Sequence, residues 1–156
     1  MKPEYIAALV AFSLALGALG CGGPPAAART AVSIGADAVV SLDHAFAERY
    51  TTQAETALAA SSTALEYRTA MHGFDVAHDA IRVAADAVLA TESALDSWDA
   101  GSDAGEGFFA AAGCAAIALG HLRDALVAIG IPPPQQLDDA LSLIVGFGEA
   151  VCHVGS

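Results

Sequence analysis

The stretch FDVAHDAIRVAADAVLATESALDSW, residues 74–98, decides the fold class. Within it Phe74, Ala77, Ile81, Ala84, Val88, Thr91, Leu95 and Trp98 recur in alternating steps of three and four. That spacing stacks all eight on one face of an α-helix. Asp79, Arg82, Asp86, Glu92 and Asp96 fall mostly off the stripe and form a polar face for solvent. No strand-like alternation and no internal repeat occurs in the chain, so the expected fold is all-α.

Upstream, from Thr30 onward, only Gly35 and Gly73 interrupt and proline is absent. Val32, Gly35, Val39, Leu42, Phe46, Tyr50, Ala54 and Leu58, then Leu65 and His72, carry the apolar series. Its repeated steps of four make the stripe drift around the helix. The first turn is expected near His72-Gly73. Downstream, Asp99 to Gly105 reads as a loop by its Gly, Ser and Asp content. Asp103 and Glu106 have the spacing of a capping pair that starts a third helix. That helix carries Phe108, Ala112, Ala115, Leu119, Leu122, Leu126 and Ile129 on one face, and it stops at Gly130-Ile131-Pro132-Pro133-Pro134. Residues 108–120 are uncharged, but the run is too short to span a bilayer and reads as core. A last helix begins near Pro134, with Leu137, Leu141, Ile144, Gly148 and Val151 as its inner stripe. The sum is a small antiparallel helical bundle of three to four helices over residues 31–154.

Composition excludes several function classes. The 156 residues are 55% hydrophobic and 15% charged, too apolar for a disordered chain. A net charge of −12 leaves no basic stripe for phosphates, so nucleic acid is excluded as a partner. The same charge repels anionic lipid head groups.

The N-terminus points elsewhere. After Met1-Lys2-Pro3-Glu4, the 16 residues from Tyr5 to Gly20 carry no charge, and Cys21-Gly22-Gly23-Pro24-Pro25 follows. A spanning helix needs about 20 apolar residues, so the run fits a signal-peptide core better. An uncleaved membrane anchor and a buried helix ending at Cys21 are the other readings. Ala18-Leu19-Gly20-Cys21 resembles the lipobox of bacterial lipoproteins. The resemblance implies cleavage after Gly20, diacylation of the Cys21 sulfur, and Cys21 as the acylated N-terminus. It divides the chain into a signal peptide at 1–20, a lipidated cysteine with flexible tether at 21–30, and the bundle. Removing 1–20 takes one lysine and one glutamate, so the charge stays −12. An acidic protein is then held to the membrane by lipid on Cys21, each buried methylene contributing ~0.8 kcal/mol.

With Cys21 assigned to lipid, Cys114 and Cys152 form an even pair in an oxidising compartment, where a disulfide persists. Two buried thiols are the alternative. On helical wheels Cys152 falls near Leu141 and Val145, and Cys114 lies on a small-residue flank with Ala111, Ala118 and Ala125. Adding His121 and His153 gives a zinc-type donor set, but none of the close-spaced ligand pairs of structural zinc is present. His72, Asp75 and His78 lack a third clear ligand and read as solvated, as does His44 beside Asp43 and Glu48. Asp96, Asp99, Asp103 and Glu106 do not follow calcium-loop spacing. No nucleophile elbow, phosphate loop or zinc-protease helix motif occurs. The expectation is an exported, lipid-anchored, non-catalytic domain without cofactor or metal, structural or protein-binding in the cell envelope. A periplasmic bundle holding a small ligand or metal is the alternative.

Overall fold

The computed structural model describes residues 24, 26–102 and 105–147. Four helices run in sequence: α1 (Ala26–Ala60), α2 (Ala64–Asp99), α3 (Glu106–Ala128) and α4 (Gln135–Val145). No strand occurs among the described residues. α1 lies against α2 and α4, and α3 lies against the same two, so the helices close a ring in chain order. Successive helices are antiparallel. Arg29 at the start of α1 reaches Asp99 at the end of α2 at 2.6 Å, and Arg123 late in α3 reaches Asp138 early in α4 at 3.3 Å. The antiparallel bundle expected from the sequence is therefore the observed architecture.

The stripe on α2 is the wall of the core. Ala77, Ile81, Ala84, Val88, Leu95 and Trp98 are all buried, and Phe74 is half-buried at its edge. Thr91 is buried within this row, and its hydroxyl donates to the Ala87 carbonyl at 2.8 Å, which satisfies the polar group without a partner helix. α3 contributes Phe108, Leu119, Leu122 and Leu126, each at most 1% exposed. By length and composition α3 is apolar enough to cross a membrane, but its apolar stripe is buried in the bundle. α4 closes the ring with Leu137, Ala140 and Ile144.

Helix ends follow local chemistry. Ser102 and Ile131 each donate five residues back, to Ser97 and Leu126, while Gly101 and Gly130 donate to Trp98 and Val127. Both glycines have positive φ, so α2 and α3 end in Schellman motifs. The N-cap position of α3 is Gly105; Asp103, the expected cap, lies outside the described residues.

Three boundaries differ from the sequence reading. The first turn lies at Ser61-Ser62-Thr63 rather than His72-Gly73, and α2 runs unbroken through both of those residues. Thr63 starts α2 through a capping box. Its hydroxyl accepts from Glu66 N–H at 3.2 Å, and Glu66 Oε2 accepts from Thr63 N–H at 3.1 Å. Gly73 instead lets the end of α3 approach closely, since a Cβ there would stand 2.9 Å from Ile129 Cγ2. The second difference is the tether expected over 22–30. Residues 26–30 already belong to α1, with Ala28 buried and Arg29 paired, because an alanine run at the helix start both favours helix and seats in the core. The third is the last helix. α4 ends at Val145, so its wheel does not extend to Cys152, and Val145 itself is exposed. Gly148 and Val151 lie outside the described residues.

α1 and α2 are 35 and 36 residues long, against 23 for α3 and 11 for α4. Because α3 ends opposite Gly73, roughly 14 Å of α2 extends past it at 1.5 Å per residue. Leu65 on this overhang and Leu58 near the end of α1, both expected on the inner stripe, are 75% and 71% exposed. His72 is exposed as well.

Candidate functional site

The outer seam between α1 and α2 holds a continuous groove. Small side chains make it: Ala36 and Ala47 on α1 and Ala85 on α2 leave space where larger residues would close the seam. Three cavities of about 250, 270 and 130 Å³ follow one another along it. The first two share Asp43 and His78, and the second and third share Val39, Val40 and Ala85. Val39, Ile81 and Val88 form a floor continuous with the core. Val40 and Leu89, each 60% exposed, stand on the walls toward the N-terminal half of α1.

The other end is aromatic. Phe46 is buried, and Tyr50, Phe74 and His78 surround it at ring-centroid distances of 5.8, 6.0 and 6.2 Å. The His78 ring lies nearly parallel to that of Phe46, at 4°. Tyr50 donates its hydroxyl to Asp75 Oδ1 at 2.8 Å. That hydrogen bond, with lesser contributions from burial and from the Asp75 charge, pushes the Tyr50 pKa above the usual phenol value. The phenol proton is therefore held on Tyr50 and committed to Asp75. Asp43 is an exposed acceptor between the two larger cavities.

The residues weighed from sequence distribute as follows. Cys21, Cys152, His153 and Asp103 lie outside the described residues. Cys114 is half-buried on α3, with Ala111 and Ala118 on the same flank. His121 is exposed on α3. Of the His72, Asp75 and His78 set, expected at a turn, all three lie within α2. His72 is exposed, Asp75 serves Tyr50, and His78 stacks on Phe46. The His44 ring nitrogen Nδ1 is 3.2 Å from the Val40 carbonyl. Asp99 pairs with Arg29, while Asp96 and Glu106 are exposed. Among the described residues no three His, Cys, Asp or Glu side chains converge on a common point.

The groove itself was missed by the sequence reading. Its signal is a doubling of apolar residues, Val39-Val40 on α1 and Val88-Leu89 on α2, where one member faces the core and the next faces the seam. A stripe needs only the first of each pair. No family model, no curated protein and no solved structure matches the chain.

Proposed function

We propose that this chain is an exported lipoprotein, acylated on Cys21, whose helical domain is a non-catalytic protein-interaction module at the cell envelope. The leader and lipobox support the anchor; the groove supports the interaction role. The observation that carries the second part is the groove between α1 and α2, apolar on its floor and walled by Val40 and Leu89 in solvent contact. These exposed apolar side chains beside a groove are surface that a docked partner would cover. With α1 beginning at Ala26, little chain separates the lipid from the domain, so the bundle stands close to the membrane surface.

A bundle holding a small molecule is the competing reading, favoured by the aromatic end and the exposed Asp43 acceptor. Small-molecule sites usually enclose about 300–1,000 Å³. The cavity there is about 250 Å³ and open to solvent, which favours the groove as a protein-binding surface. A disulfide between Cys114 and Cys152 belongs to the same proposal, because export places both cysteines in an oxidising compartment.

Metabolic labelling with a fatty acid in the producing cell tests the anchor. Wild-type protein takes up label, whereas Cys21→Ser takes up none and accumulates as the longer precursor. Normal labelling of Cys21→Ser refutes the assignment.

A further inference from the structure

We infer that the α1–α2 groove receives an amphipathic helix of a second protein, apolar on one face and lined by lysine or arginine along its edges. This rests on the interaction reading above and specifies its partner. Three features define the occupant. The groove follows α1 from Ala36 to Thr51, roughly 23 Å at 1.5 Å per residue, which matches a helix of about four turns. Its floor is apolar and its walls carry Val40 and Leu89, so it accepts side chains repeating at i, i+3, i+4 and i+7.

Charge selects the sign of the edges. Asp43 stands in the groove and gives it an acidic border, and Asp37 and Asp86 are exposed one residue along from the lining residues Ala36 and Ala85. Arg82, which also lines the groove, lies 3.9 Å from Asp79, so the two charges offset one another at its edge. A second copy of this chain brings its own −12 against the same border and is disfavoured. The leader residues 5–20 are apolar but uncharged, so they would cover the floor and leave the carboxylates without partners. A basic-edged helix satisfies both the floor and the border.

The test uses the protein in the form its producing cell makes, purified in a non-ionic detergent, and three fluorescent 16-residue peptides. One is an amphipathic Leu/Lys helix, one is its scrambled isomer with equal charge, and one is an amphipathic Leu/Glu helix. Anisotropy titrations are expected to give the Leu/Lys helix at least tenfold tighter binding than either of the others. Val40→Ser with Leu89→Ser should weaken it tenfold or more, and so should Asp43→Asn with Asp86→Asn. Val127→Ser, at a 59% exposed position on α3, should change it less than twofold. Equal binding of the scrambled peptide, or an equal loss in Val127→Ser, overturns the proposal by reducing it to bulk charge. Equal binding of the Leu/Glu helix overturns the charge selection. Self-association of the protein without peptide, abolished by Val40→Ser with Leu89→Ser, overturns it in favour of a second copy. Binding at the groove is read on the bundle alone and stands whether or not Cys21→Ser still takes up label, so a failed groove and a failed anchor are told apart.

Discussion

The ring of Phe147 meets the ring of Phe108 edge-on, with centroids 5.8 Å apart and planes inclined by 74°. This contact ties the last described residue to the first turn of α3. From Phe108, Cys114 lies about 9 Å farther along the helix axis at 1.5 Å per residue. From Phe147, Cys152 is reached by five residues, up to roughly 17 Å of extended chain. That reach is long enough for the proposed Cys114–Cys152 bridge. Peptide mapping without reduction should recover Cys114 joined to Cys152, and reduction should lower stability by up to about 4 kcal/mol for a loop of this size. Recovery of both as alkylated thiols rejects the bridge.

Two glycines inside helices should respond oppositely to alanine. At Gly120 in α3 an added Cβ meets nothing within 4 Å, so Gly120→Ala should raise stability by about 0.5–1 kcal/mol through chain entropy. At Gly73 the added Cβ would stand 2.9 Å from Ile129 Cγ2, a branched group with little freedom to move. Gly73→Ala should therefore lower stability by about 1 kcal/mol or more. Urea denaturation midpoints measure both, and equal stabilisation by the two substitutions contradicts the close approach of α2 and α3.

The position of the first turn exposes what the sequence conceals. Gly73 has the composition of a breaker but sits in a helix because Ile129 needs the space. The real break lacks both glycine and proline, and its marker is Thr63 followed by Glu66 amid alanines that favour helix on either side. By contrast, the rows on α2 and α3 could be read directly, since Ile81, Val88, Leu119 and Leu126 keep the helical period and bury on both helices. The groove lay between these cases. Val40 and Leu89 hinted at a second apolar face, but an alanine such as Ala85 fits a core, a wall or a surface equally, so its role emerges only from the packing.

The capping box should be measurable at that turn. Thr63→Ala should cost about 1 kcal/mol and increase amide exchange over residues 64–67. Glu66 adds a pH dependence. Hydrogen bonds from the Ser62 hydroxyl, and then from the Ser62 and Thr63 N–H groups, hold its carboxyl below the usual glutamate range. A folded-state pKa below the unfolded value of about 4.3 stabilises the fold above that pH. The contribution disappears as pH falls through the lowered folded value. The difference in melting temperature between wild type and Glu66→Ala should thus be constant near neutrality and shrink in acid. A difference independent of pH contradicts the carboxylate as the acceptor.

The anchor is decided by weighing the intact protein from the membrane fraction of its producing cell. Acylation predicts a chain beginning at residue 21 whose mass exceeds that of residues 21–156 by a diacylglyceryl group, with or without a further acyl chain. A soluble species that still carries Met1 and its leader contradicts it.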